Sequence, residues 1–310
     1  MYKGKKIAVV IPAYNEQELI QETLNGIPDL VDGIYVVDDC STDMTRNKIS
    51  GFSNERISLI CHNKNMGVGA AIKTGYTVAY DAGFDIIVVM AGDNQMDPRY
   101  ITNLVDPLIN NECDYTKGNR LLSKAARKQM PKFRIFGNSM LSFLTKVSSG
   151  FWDIVDPQNG YTAVTRQSLD ILPLSEVYSG YGYPNDLLIK MSTYNLRVKD
   201  VVIPARYGLE KSKIFLPSYI LHVSKLLVFG FVGRLWEKYV LQSLHPLIFF
   251  YLMSFLLIPL GLISGIYILY LRIVVGGITA ASVLLPVFLL TMGVHSLFFA
   301  MFFDMQNTKK

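Results

Sequence analysis

Charge is missing from two long stretches of this 310-residue chain: no residue from Leu247 to Leu271 is charged, and none from Ile273 to Phe303. Each stretch exceeds the ~20 apolar residues that carry a helix across a bilayer. Only Arg272 separates them, which excludes an ordinary pair of soluble core helices. Cysteine is scarce as well. Cys40, Cys61 and Cys113 are odd in number and lack metal-ligand spacing, which excludes a disulfide framework and fits a reducing compartment. The basic excess is small, a net charge of +5 with no arginine-rich tract, so nucleic acid is not an expected partner. Attraction to anionic lipid head groups accounts for such a charge equally well. The N-terminus, Met1 to Lys6 followed by the short run Ile7 to Ile11 and Pro12, lacks the longer apolar stretch of a secretory signal. Internal repeats and low-complexity segments are also absent.

What is present begins with the charges around the apolar pair. Lys225, Arg234 and Lys238 precede it and Lys309 and Lys310 follow it, whereas the intervening turn offers Arg272 alone. Cationic flanks stay on the cytoplasmic side. The expectation is therefore a multi-pass cell-membrane protein with a two-helix hairpin, spans at about 246–271 and 276–303, and both the first domain and the C-terminus in the cytoplasm. Between Ser218 and Leu244, apolar Ile220, Leu221, Leu226, Leu227, Phe231 and Trp236 mix with the three cations. That mixture suits either an amphipathic helix or helix pair on the bilayer surface or a plain linker helix. The expected division is 1–215, 216–244 and 245–310.

From residue 6 to about 120, β-branched runs alternate with stretches of helical periodicity. The runs are Ile7–Ile11, Gly33–Val37, Ile57–Ile60 and Asp85–Met90; the helical stretches are Glu16–Gly26, Gly69–Ala82 and Tyr100–Ile109. This alternation predicts an α/β fold with a mostly parallel sheet. Ligands in such folds bind at the carboxyl ends of strands. The first run ends in Pro12-Ala13-Tyr14-Asn15-Glu16 and the second in Val37-Asp38-Asp39-Cys40-Ser41-Thr42-Asp43. Helix capping explains one acid of the second group, leaving Asp38 or Asp39 to hold a nucleotide's ribose or base. The fourth ends in Ala91-Gly92-Asp93-Asn94-Gln95-Met96-Asp97-Pro98. Asp97 before Pro98 reads as a helix cap. Asp93 lies too early for that, and as an oxygen donor it is the best candidate ligand for a hard divalent cation.

Together these pieces resemble the family 2 glycosyltransferases of the GT-A fold, and within them the polyprenyl-phosphate sugar synthases of the dolichol-phosphate mannose synthase kind. The resemblance covers most of residues 6–215. It rests on Pro12, Tyr14, Asn15 and Glu16; on Val37, Asp38 and Asp39; on Gly92, Asp93 and Gln95; and on His62-Asn63-Lys64-Asn65-Met66-Gly67-Val68-Gly69 after the third strand. One departure stands out: Ala91 occupies the position of the first carboxylate of the family's Asp-X-Asp.

The resemblance implies a GT-A domain that transfers a sugar, with inversion, from a UDP- or GDP-sugar to a membrane polyprenyl phosphate. It implies Mg2+ or Mn2+ held by Asp93 and Gln95, and a nucleotide held by Pro12, Tyr14, Glu16, Val37, Asp39, Gly92, Asp93 and Gln95. Arg206 and Lys213 would close on the diphosphate, although the loop Arg206 to Lys213 is one residue longer than the family pattern and Lys211 is the other candidate. Arg120 and Arg134 would contact the acceptor phosphate. Asp156-Pro157-Gln158-Asn159-Gly160-Tyr161 is similar to the family's Asp-X-X-Ser-Gly-Phe. Asp93, Arg120 and Asp186 are the catalytic candidates; Asp186 is either a general base or the cap of a helix Leu187–Tyr194. A base is needed only for the alternative acceptor, a hydroxyl of a lipid-linked or surface glycan. A processive synthase is disfavoured by the lack of a Gln-X-X-Arg-Trp segment, and an inactive scaffold has only Ala91 in its support. Self-association is left open.

Overall fold

The computed structural model describes residues 1–120, 132–204, 216–277 and 279–308. The chain forms two compact units, Met1–Phe231 and Val232–Lys310. In the first, seven strands make one sheet: β1 Ile7–Ala13, β2 Gly33–Asp38, β3 Ile57–Cys61, β4 Ile86–Val89, β5 Tyr115–Asn119, β6 Thr162–Thr165 and β7 Val198–Val202. Their order is β3-β2-β1-β4-β6-β5-β7. β6 runs antiparallel to both neighbours and every other pairing is parallel. The four expected strands are all there, and β5 to β7 extend the sheet beyond them.

The apolar β1 is buried on both faces. Ile7, Val9 and Ile11 enter one core with Ile20 and Leu24 of helix α1 (Ile20–Asn25), Ile49 of α2 (Thr45–Ser50), and Ile101, Leu104 and Leu108 of α4 (Ile101–Ile109). Ala8 and Val10 enter the other with Ile72 and Tyr76 of α3 (Val68–Asp81). Leu169 of α6 (Arg166–Ile171) and Leu187, Leu188 and Met191 of α7 (Tyr183–Thr193) complete that second core. Two covered faces are why β1 reads as a continuous apolar run rather than an alternating one. Gly75 permits the close approach of α3, since a Cβ there would lie 2.2 Å from Val10 Cγ1. The sheet's direction of growth reverses at β1 and β4, which opens a crevice at their carboxyl ends.

Helix α5 spans Lys132–Ser149, and α8 spans Leu216–Arg234 and continues through a π-helical turn, Leu235–Leu241. One face of α8 packs inside the first unit: Val223 and Leu227, with Tyr219 and Leu226, cluster with Ile189 and Leu141. Its other face exposes Ile220, Leu221, Val228 and Phe229. The second unit holds α9, Leu247–Val274, and α10, Ala280–Thr308. Three helices, Tyr219–Leu241, Leu247–Val274 and Ala280–Asn307, are long and apolar enough to cross a membrane, where the sequence reading expected two. The polar face expected of residues 216–244 also differs. Lys225 is exposed, but Arg234 and Lys238 are buried, and the Arg234 guanidinium pairs with Asp304 at 2.8 Å for each of two hydrogen bonds. A buried cation needs such a partner, and this one comes from far along the sequence.

Candidate active site

At the carboxyl edge of the sheet the backbone turns through left-handed conformations at Asn15 (φ 56°), Cys40 (φ 66°) and Asn94 (φ 56°), after β1, β2 and β4 respectively. Non-glycine residues seldom adopt this geometry unless their surroundings enforce it. Here the enforcement is visible. The Asn15 amide donates to Ser41 Oγ at 2.9 Å, and Asn15 Oδ1 accepts from the Thr42 amide at 2.8 Å. The Glu16 amide donates to Thr45 Oγ1 at 2.9 Å and that of Gln17 to Asp43 Oδ2 at 3.2 Å. Burial acts to raise the Asp43 pKa, but hydrogen bonds from Thr45 and Gln17 outweigh it and hold the group below its usual value. The loops after β1 and β2 thus form one platform carrying Pro12, Tyr14 and Glu16, with the Tyr14 side chain exposed.

Both acids of the Asp38-Asp39 pair are buried. Asp38 Oδ2 accepts from the Ser41 amide at 3.1 Å and from Arg46 Nε at 2.5 Å. Asp39, following Val37 and Asp38 on β2, binds the His62 ring at 2.7 Å and the amides of Met66 and Gly67 at 2.9 and 2.7 Å. His62 Nε2 in turn meets Thr74 Oγ1 at 3.0 Å. In this conformation Asp39 fixes the asparagine-glycine segment to the end of β2. His62 and Thr74 had no such role in the sequence reading, because their partners lie 23 and 12 residues away and leave no local signal.

Gly92 is packed tightly, since a Cβ there would lie 3.2 Å from Ile20 Cδ1, and its carbonyl accepts from Thr23 Oγ1 at 3.1 Å. This anchors the following turn, in which Asp93 Oδ1 accepts from the Gln95 amide at 3.0 Å. Asp97 caps the next turn by accepting from the Arg99 amide, with Pro98 at its start, as expected. Ala91 lines a cavity of about 190 Å³ at the β1–β4 switch point, together with Pro12, Met96, Gln158, Tyr181 and Tyr183. Among the described residues no three His, Cys, Asp or Glu side chains converge. The donor set at the turn, one carboxylate with a neighbouring amide side chain, is all oxygen and suits a hard divalent cation that draws its remaining ligands from substrate and water.

The cavity's far wall is held by glycines and by Asp186. A Cβ on Gly69 would lie 2.3 Å from the Tyr178 carbonyl oxygen, and one on Gly67 would lie 2.6 Å from that of Ser179. Asp186 Oδ2 accepts from the Tyr178 amide at 2.8 Å, and Lys190 Nζ lies 3.4 Å from Oδ1. Asp186 does not cap its helix: α7 begins at Tyr183, and the Asp186 amide already donates to the Gly182 carbonyl. Gly69→Ala is expected to push the 178–180 segment away and lower the thermal midpoint by several degrees, as a clash with backbone cannot relax by rotamer change. A melting curve matching that of the unaltered protein would contradict this packing.

Arg120 lies at the end of β5, where its Nε donates to Asp156 Oδ2 at 2.9 Å. Beneath it Lys117 is wholly buried and donates to the Asn159 carbonyl, and burial lowers its pKa to about 8. The structure therefore places Pro12, Val37, Asp39, Gly92, Asp93, Gln95 and Arg120 at one sheet edge, along with Lys117 and Asp156, to which the sequence reading gave no role. Arg134 falls in the first turn of α5 with its side chain outside the description, and Arg206, Lys211 and Lys213 lie outside the described residues.

An open sheet with an acidic turn and a cavity at its switch point, followed by helices apolar enough for a membrane, defines a ligand-binding α/β domain on a membrane anchor. The family model described as Glycosyl transferase family 2 matches residues 8–172, and the chain belongs to that family; it is a glycosyltransferase. It is 31% identical over 218 residues to the UDP-N-acetylglucosamine–dolichyl-phosphate N-acetylglucosaminyltransferase of Methanococcus voltae, an overlap of 66% of this chain and 86% of that one. It is 27% identical to the dolichol-phosphate mannosyltransferase of Pyrococcus furiosus over 72% of this chain and 64% of that one. Among solved structures, glucosyl-3-phosphoglycerate synthase from Mycobacterium tuberculosis, in complex with Mn2+, UDP and glucosyl-3-phosphoglycerate, shares the fold. The TM-score is 0.57 at 21% identity, covering 74% of this chain and 80% of that one.

Proposed function

We propose that this enzyme transfers a sugar, with inversion, from a UDP- or GDP-sugar to a membrane polyprenyl phosphate at the cytoplasmic face. The observation that carries the proposal is the position of the Asp93 turn beside the β1–β4 cavity, on the sheet edge that also bears Arg120. The names of the Methanococcus and Pyrococcus relatives, both dolichyl-phosphate sugar transferases, support the acceptor. Asp93 and Gln95 would hold a divalent cation, which when bound neutralises charge on the departing diphosphate. The platform of Pro12, Tyr14 and Glu16 seats the nucleotide. An oxygen of the acceptor phosphate attacks the anomeric carbon as the bond to the diphosphate breaks. That phosphate arrives anionic, so no base is required. Asp186 agrees with this, because its two oxygens already serve Tyr178 and Lys190.

Helix α8 favours a two-span topology within this proposal. Val223, Leu227 and Gly230 of α8 pack against Ile189 and its neighbours within the first unit, so only 231–241, about 16 Å at 1.5 Å per residue, are left that could enter a bilayer. The hydrocarbon core is about 30 Å thick. α8 then lies on the bilayer surface, and α9 and α10 cross it. Assay with radiolabelled sugar nucleotides tests the function: the product is expected to extract into chloroform and to be acid-labile. Label bound to glycan would refute the acceptor. Arg120→Ala is expected to raise the apparent KM for lipid about tenfold or more, the size of a lost charge-assisted contact, with donor binding intact. A defect confined to donor binding would remove Arg120 from the acceptor site.

A further inference from the structure

The chain leaves β5 through Lys117-Gly118-Asn119 and on to Arg120, and each of these four residues is tied to the segment 155–161 or to β7. Arg120 grips Asp156 through Nε at 2.9 Å, Nη2 at 3.4 Å and its own amide at 3.3 Å. Asn159 Nδ2 donates to the Gly118 carbonyl at 2.7 Å, and Asn119 Nδ2 donates to Asp200 at 2.6 Å. Lys117 donates to the Asn159 carbonyl. The two members of the Arg120–Asp156 ion pair are unequally placed: the Asp156 side chain is 3% exposed and that of Arg120 is 37% exposed. The arginine can thus reach a ligand from solvent, and the carboxylate cannot follow it. Were Arg120 to leave, Asp156 would be stranded, and an unpaired buried charge is strongly destabilising. A second cation is at hand: buried Lys117, which donates to the carbonyl of Asn159 three residues along from Asp156, lies within electrostatic reach of the same carboxylate.

We propose that Arg120 exchanges partners in each cycle, held by Asp156 at rest and taken by the acceptor phosphate during transfer, and that Lys117 is the positioning cation that keeps Asp156 compensated while Arg120 is away. This rests on the reading that Arg120 meets the acceptor phosphate. Phosphate and carboxylate offer the guanidinium the same pair of oxygen acceptors, so the exchange substitutes one forked contact for another. Lys117 is faced by Asp156, Asp200 and Arg120, and its pKa, lowered by burial to about 8, leaves it charged at neutral pH.

The test uses full-length enzyme in detergent with a polyprenyl phosphate acceptor. Arg120→Ala is measured first: an unchanged acceptor KM overturns the underlying reading and this proposal with it. Given a raised KM, Lys117→Met is expected to raise the acceptor KM about tenfold while kcat at saturating acceptor and the donor KM stay within about twofold, since only departure of Arg120 is penalised. The double variant Lys117→Met/Asp156→Asn is expected to return the acceptor KM to within about threefold of the starting value, because the one anion that departure of Arg120 strands, Asp156, is then gone. A role in packing alone predicts additive damage. In the unaltered enzyme the acceptor KM is expected to climb above about pH 8 as Lys117 loses its proton, and in Lys117→Met that climb disappears. An unaffected acceptor KM in Lys117→Met, or a double variant as impaired as the single, overturns the exchange alone. Should Lys117→Met fail to fold, Asp156→Asn decides: Arg120 is released, so the acceptor KM is expected to stay level or fall, and a rise overturns the proposal.

Discussion

Replacing Asp93 by asparagine is expected to reduce sugar transfer by at least about a hundredfold and to leave the fold intact. Charge compensation at a departing diphosphate contributes several kcal/mol when a metal supplies it. At about 1.4 kcal/mol per factor of ten, even a partial loss reaches that size. The substitution is nearly isosteric, and the new side chain keeps an oxygen for the Gln95 backbone amide, which donates to Asp93 Oδ1 at 3.0 Å. The turn should therefore persist while the negative charge disappears. Ala91, in place of a first carboxylate, makes the dependence on Asp93 steeper, because no other acid on this turn can take over: Asp97 is engaged by Arg99. Turnover in Mn2+ and Mg2+, together with a melting curve, checks both halves. Near-normal turnover with either ion would remove Asp93 from the catalytic site.

The second large effect is expected in the membrane unit. Arg234 and Asp304 are both fully buried, joined by two 2.8 Å hydrogen bonds, and Tyr239 donates to the same carboxylate at 2.5 Å. Asp304→Ala leaves the guanidinium buried without its counter-ion, and breaking such a pair costs about 3–5 kcal/mol. The thermal midpoint in detergent is expected to fall by roughly ten degrees. Removing both charges with Arg234→Leu and Asp304→Leu together should recover most of the loss, because apolar replacement of a whole buried pair is often close to neutral. An Asp304→Ala protein that melts at the original temperature would show that the pair carries no stability, and a double variant worse than the single would point to a different role.

Periodicity located the elements well where one local interaction dominates. The run Ile7–Ile11, which became strand Ile7–Ala13, was legible because an all-apolar strand has no other home than a doubly covered sheet. The Asp97 cap was legible because both it and Pro98 act within one turn. Boundaries that depend on distant partners were not. The expected helix Glu16–Gly26 begins only at Ile20, since residues 15–17 are pinned instead to the loop after β2. The helix expected to start after Asp186 begins at Tyr183, because Asp186 holds the preceding loop rather than the helix end.

The sequence by itself determined the α/β order of the first unit, the acidic and glycine-bearing strand ends, and two uncharged stretches long enough for a bilayer. These follow from side-chain chemistry repeated over a few residues, which any window along the chain displays. Only the tertiary structure decided who meets whom: Asp39 with His62, Arg120 with Asp156, Lys117 beneath them, and Arg234 with Asp304. Each of those pairings neutralises or satisfies a polar group that burial would otherwise penalise. Burial is a property of the packed whole, so the partner a buried group finds need not be near it in the chain.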